Sequence, residues 1–114
     1  MPYLTTGLID NTAVESVRQS SKLWVEIANE DTSTVAIQIE GFFQSGTTKV
    51  KYADEFFTLN AGTVALRNYY TLFDTFVFEF FVSSQLVNVS VWGEDVAGKL
   101  TSVFRVVDEE GPLG

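Results

Sequence analysis

Hydrophobic and polar positions alternate along most of this chain. From Phe76 onward, Phe76, Phe78, Phe80 and Val82 fall on one side, and Val77, Glu79, Phe81 and Ser83 on the other. A period of two marks a β-strand, because successive side chains leave the backbone on opposite faces. A second run, Val87, Val89 and Val91 interleaved with Asn88, Ser90 and Trp92, follows the polar break Ser83-Ser84-Gln85, and the two runs read as a hairpin. Seven of the sixteen aromatic residues lie between Tyr69 and Phe81, so this region is expected to supply the largest apolar face.

The same pattern recurs upstream. Leu23, Val25 and Ile27 alternate with Trp24, Glu26 and Ala28, and the polar stretch Asn29 to Ser33 has the chemistry of a hairpin turn. Thr34 to Phe43 places Val35, Ile37 and Ile39 on an inner face, with Gly41 marking a bulge or bend. Lys49 to Ala53 reads as a short edge strand blunted by lysines. Phe56 to Leu59 comes next, then a tight turn at Asn60-Ala61-Gly62, then a strand with Val64, Leu66 and Asn68 on one face. Leu100 to Val107 forms a closing strand, whereas Thr12 to Gln19 alternates only loosely. Both prolines lie near the ends of the chain, leaving the body free to pair as sheet.

Eight or nine strands at spacings of roughly 8–12 residues predict an all-β fold. The expected architecture is a single-domain, jelly-roll-like β-sandwich of about eight strands, with an immunoglobulin-like sandwich as the alternative. Residues 1–22 are expected to form an N-terminal arm, 23–108 the sandwich, and 109–114 an acidic tail. Tyr3, Leu4, Leu8, Ile9, Val14 and Val17 give the arm more apolar groups than a free tail leaves in water, which suits docking on a neighbour's sheet edge. The alternative is that Thr12 to Gln19 is the sandwich's own first strand.

Composition narrows the function. A chain of 114 residues, 46% hydrophobic, has the size of one domain and enough apolar material for a core. The formal charge of −8 repels phosphate backbones and anionic lipid, which argues against nucleic acid and membrane surfaces as partners. The chain has no cysteine and no histidine, so it lacks a disulfide scaffold, a thiol nucleophile and the commonest general base and metal ligand. No apolar run approaches the roughly 18 residues of a membrane span. The start, MPYLTTGLID, shows no secretory n-region or h-region. Work outside the cell would then require lysis, an unconventional route or a signal already removed.

Four acidic groups invite a calcium reading: Glu30-Asp31, Asp54-Glu55, Glu94-Asp95 and Asp108-Glu109-Glu110. Calcium needs six to eight hard oxygens, and no EF-hand or glycine–aspartate repeat supplies them, so solvated loops are the expectation, with no metal and no cofactor. Trp24 and Trp92 fall opposite their strands' aliphatic faces, which makes them candidates for an outer contact surface, and with Tyr52, Tyr69 and Tyr70 they could stack on a sugar. Glu40, Glu55, Glu79 and Glu94 are the candidate acid–base carboxylates of a hydrolase, but nothing sets two of them at a working separation. Glu79, set among phenylalanines, calls for a partner such as Arg67 or Arg105 if buried. The sequon Asn88-Val89-Ser90 lies inside a strand and reads as chance.

The C-terminal third carries a resemblance. FVFEFFVSS, then LVNVSVWGEDVAGKL, then TSVFRVV with an acidic residue after it, together with the earlier WVEIANEDTSTVAIQIEGF, resemble small β-domain proteins of spore-forming Firmicutes related to endospore-appendage and exosporium surface proteins. The resemblance covers roughly Leu23 to Asp108 and is a pattern of strands and glycines. It implies a non-enzymatic subunit that assembles with copies of itself into a fibre or layer on a spore or cell surface, its arm joining neighbours. Disulfide-linked appendage subunits carry cysteines in that connector and this chain has none, so its cross-links would be non-covalent or use another chemistry. The residues expected at self-contacts are Tyr3, Leu4, Leu8, Ile9, Val14, Val17, Trp24 and Trp92. The alternatives are a glycan-binding module and a phage virion or tail decoration protein.

Overall fold

The computed structural model describes residues 3–109. In chain order the strands are β1 (Tyr3–Thr5), β2 (Ile9–Asp10), β3 (Lys22–Asn29), β4 (Val35–Ser45), β5 (Thr48–Leu59), β6 (Val64–Tyr70), β7 (Thr75–Val82), β8 (Val87–Glu94), β9 (Leu100–Phe104) and β10 (Val107–Glu109). They build two antiparallel sheets. The first runs β10-β1-β7-β4-β5, with β2 also on β7, and the second runs β6-β3-β8-β9. The chain is thus the expected all-β sandwich, with ten strands in place of about eight.

The inner faces follow the alternation. Phe76, Phe78, Phe80 and Val82 of β7 and Val35, Ile37 and Ile39 of β4 pack against Leu23, Val25 and Ile27 of β3 and Val87 and Val91 of β8, all buried. The pairing of β4 with β5 shifts register between Gly41 and Phe42, at the glycine where a bulge was expected. Gly41 serves packing as well: a Cβ there would stand 2.6 Å from the Phe78 ring.

Strand connections depart from the sequence reading. The runs in β7 and β8, expected to pair as a hairpin, lie in different sheets. The stretches Asn29 to Ser33 and Asn60 to Gly62 likewise carry the chain from one sheet to the other. Alternation reports which side chains share a face, not which strand is the hydrogen-bonded neighbour. The strands flanking such an arch both turn apolar residues inward, as the strands of a hairpin do. The hairpins that stay within a sheet are β4–β5 and β8–β9.

Two element boundaries and one strand face also change. Lys49 to Ala53 and Phe56 to Leu59 belong to one strand of 12 residues, β5. The closing strand divides: Leu100–Phe104 pairs with β8, and after Arg105 and Val106 the chain joins the other sheet as β10. On β6 the face with Val64, Leu66 and Asn68 points to solvent, because their neighbours Ala65, Arg67 and Tyr69 pair with the inward residues Ile27, Val25 and Leu23.

The segment expected to stand apart as an arm is tied to its own sandwich. Leu4 pairs with Phe80 on one side and Asp108 on the other, and Ile9 pairs with Phe76. Leu4 and Ile9 join the core, which satisfies in cis the apolar demand that suggested docking on a neighbour. Thr12 to Gln19 is not a strand. Val14 and Val17 exchange backbone hydrogen bonds of 2.8 and 3.0 Å around a two-residue turn, with Glu15 and Ser16 at φ 53° and 67°. Val107 to Glu109, which includes the first residue of the expected tail, pairs with β1, and residues 110–114 lie outside the described residues.

A buried asparagine ties the crossings at each end. At one end, the Asn29 side-chain amide donates to the carbonyls of Ser33 and Leu59, both at 2.9 Å, and its oxygen accepts the Asp31 amide at 2.9 Å. Its backbone N–H donates to Thr63 and its carbonyl accepts the Gly62 N–H. At the other, the Asn11 amide donates to Ser20 and Thr71 at 2.8 Å and to Phe73 at 3.1 Å, and its oxygen accepts the Ser20 N–H at 2.9 Å. Such satisfaction is what buried amides require.

Candidate contact surface

The outer face of the four-stranded sheet carries the two tryptophans. Trp24 and Trp92 are direct cross-strand partners on β3 and β8, and the same row runs from Asn68 on β6 to Val103 on β9. Their rings lie 6.4 Å apart and within 11° of parallel, and the Lys22 ammonium stands 5.7 Å from the Trp24 ring. Val64, Leu66, Tyr70, Leu100 and Val103 are exposed, Val103 to 78%. On this face Lys22 pairs with Glu94 at 3.8 Å. Aromatic and aliphatic groups gathered on one sheet face, few charges among them, are the composition of a contact surface.

The opposite outer face is ionic. Glu40 and Glu79 stand directly opposite each other on β4 and β7. Like charges so placed repel, and lysines from β5 relieve it: Lys51 pairs with Glu40 and, at 3.6 Å, with Asp54, while Lys49 meets Glu79 at 3.3 Å. Glu79 thus finds its partner in Lys49, not in Arg67 or Arg105. Lys49 also lies 4.2 Å over the Phe42 ring. A cleft of about 240 Å³ opens beside it, lined in part by Leu8, Phe42, Phe43 and Phe76.

No family model, curated protein or solved structure matches this chain.

Of the residues expected at self-contacts, the structure pairs Trp24 with Trp92 on the outer face and Val14 with Val17 across a turn. Tyr3 packs on Phe81 with ring centroids 4.8 Å apart. Leu4 and Ile9 are spent on the core, and Leu8, Val14 and Val17 are exposed. The alternation that set the tryptophans outward also held Val64, Leu66 and Val103, residues of the same surface that the reading of β6 and β9 did not mark as exposed.

Among the described residues the acidic groups do not converge. Asp31 accepts the Ser84 hydroxyl, Glu30 the Asn88 amide, and Asp95 the backbone N–H groups of Ala97 and Lys99. Among the described residues no group of three carboxylates is arranged to hold a metal ion. Glu55 is the inward-facing exception. It closes the gap between β5 and β6, accepting the Tyr69 hydroxyl at 2.7 Å and the Arg67 guanidinium at 2.8 Å, with Arg67 also 4.4 Å over Phe57. Partial burial pushes its carboxyl up, but the bonds from Tyr69 and Arg67 and the arginine's charge outweigh this and hold it below the ordinary carboxylate value. Burial, with the Glu55 hydrogen bond, drives Tyr69 upward, and burial does the same to Tyr52.

Proposed function

We propose that the protein is a non-enzymatic structural subunit that associates with copies of itself through the outer face of the four-stranded sheet. The observation that carries this reading is the parallel Trp24–Trp92 pair in one row with Val103, within a face bordered by Leu66, Tyr70 and Leu100. On a molecule of charge −8, this apolar face is where like copies approach with least repulsion. The resemblance to spore-surface proteins extends the reading to a fibre or layer outside the cell. Light scattering and electron microscopy of the purified protein test it. Concentration-dependent association that Trp24→Ser or Trp92→Ser weakens is the expected result, and a strictly monomeric species at high concentration would sink it.

A second reading, glycan binding, is favoured by the parallel indoles alone, since flat rings on a rigid sheet can stack on sugars. Quenching of tryptophan fluorescence by polysaccharides in the monomer discriminates it from self-association.

A further inference from the structure

The sheet edges are not alike. Strand β5 carries Lys49 and Lys51 and a register shift, β10 is a three-residue strand containing Asp108, and β9 has five residues and a shift at Gly93 and Glu94. Lysines, bulges and short length are the usual devices that keep an edge from pairing further. Strand β6 has no lysine, no bulge and ordinary length, and its one charge, the inward Arg67, is paired with Glu55. Its seven residues pair with β3 without interruption, and its solvent-facing side chains are Val64, Leu66, Asn68 and Tyr70.

The backbone of β6 points the same way. Asn29 N–H donates to Thr63 at 2.9 Å and Thr71 N–H to Ser21 at 3.1 Å, which fixes the alternation of the ladder between them. Ala65, Arg67 and Tyr69 therefore bond to β3, while the N–H and C=O groups of Val64, Leu66, Asn68 and Tyr70 point off the sheet. Side chains reach two of those carbonyls: the Arg67 guanidinium meets that of Leu66 at 3.2 Å, and the Tyr52 hydroxyl meets that of Tyr70. Each such oxygen keeps a second lone pair.

We propose that β6 pairs antiparallel with β6 of a second copy, about a two-fold axis at Arg67, joining two four-stranded sheets into one of eight. The inference rests on the self-association reading and adds to its face contact a second one, at the sheet edge. Val64 of one copy then faces Tyr70 of the other and Leu66 faces Asn68, each twice, so all four outward residues are used. A β-branched residue opposite an aromatic one is a favourable cross-strand pair. Charge selects a second copy, because the outward side chains of β6 are neutral. The nearest outward carboxylate, Glu26, lies one strand in. Across the axis the two Glu26 groups stand three strand spacings apart, roughly 14 Å, beyond the screening length of about 8 Å at physiological salt. The two Arg67 side chains meet on the inner side, each with its own Glu55.

Analytical ultracentrifugation with circular dichroism tests this. Asn68→Pro removes one outward N–H without touching the β3 ladder, and Leu66→Lys restores the missing edge protection. Both should keep the sheet signal and weaken dimerisation by at least ~10-fold. The chain has no cysteine, so a mixture of Leu66→Cys and Asn68→Cys copies should cross-link on oxidation while neither does alone. Should Asn68→Pro not fold, Leu66→Lys and the cross-link decide. Unchanged association in these variants, with loss in Trp24→Ser, overturns the edge pairing and leaves self-association standing. A monomeric wild type overturns both.

Discussion

The Tyr69 hydroxyl donates to Glu55 at 2.7 Å across the gap between the two sheets. Glu55 is held below its ordinary pKa, so its contribution is present above the unfolded value of 4.5 and is lost as pH falls through the lower folded value. Urea unfolding of wild type and Glu55→Gln at pH 7 and pH 3 should show a gap of about 1 kcal/mol that narrows in acid. A gap constant with pH would remove the carboxylate from the account.

The tyrosines act in the opposite direction. Tyr52 and Tyr69 are raised above the usual value of 10, so the stability they lend is complete below pH 10 and drains away as pH rises beyond it. Phenolate absorbance for these two should appear together with loss of the sheet signal. Tyr69→Phe and Tyr52→Phe should each remove part of that coupled step.

Gly41→Ala sets a methyl against Phe78 at 2.6 Å. Either the backbone or the ring must shift, at a cost of about 1–3 kcal/mol. Combining it with Phe78→Leu should recover part of the loss, giving a non-additive cycle; strict additivity would disconnect the two residues.

Asn11→Asp should be worse than Asn11→Ala. The aspartate keeps the acceptor for the Ser20 N–H but points a carboxylate at the carbonyls of Ser20, Thr71 and Phe73, all of which lose the amide donor, with Thr71 keeping only the Phe73 N–H. Asn11→Ala should cost about 3 kcal/mol, with Asn11→Asp costing more. Thermal unfolding of the pair near neutral pH checks the order.

The Val14–Val17 turn can be improved. Glu15 and Ser16 occupy the left-handed region, which asparagine and glycine tolerate better. Replacing them with Asn and Gly, Glu15→Asn with Ser16→Gly, should raise stability by about 1 kcal/mol. No gain in the urea midpoint would count against the turn.

Strand faces were legible in the sequence because burial imposes period two: Phe76 to Val82, Leu23 to Ile27 and Val35 to Ile39 all turn the expected side chains inward. Sheet membership was not. Asn29 to Ser33 has ordinary turn chemistry, and only long-range bonds such as Asn29 to Leu59 mark it as an arch. Strand β6 misled for a related reason. Its inward set, Ala65, Arg67 and Tyr69, looks more polar than its outward set because Arg67 and Tyr69 satisfy their polar atoms on Glu55, a partner distant in sequence. Of the contact surface, the outward tryptophans were readable, but their pairing as direct neighbours required the β3–β8 register.

Tyr3 and Glu109 sit side by side at the end of the β1–β10 ribbon, three residue pairs long. A tensile load applied through those two points would part the ribbon one pair at a time, like a zipper, instead of shearing all its hydrogen bonds at once. Such a joint yields at low force. An assembly of these subunits that must bear tension would therefore route it through sheet-to-sheet contacts, and single-molecule pulling between residues 3 and 109 should show the ribbon opening before the sandwich does.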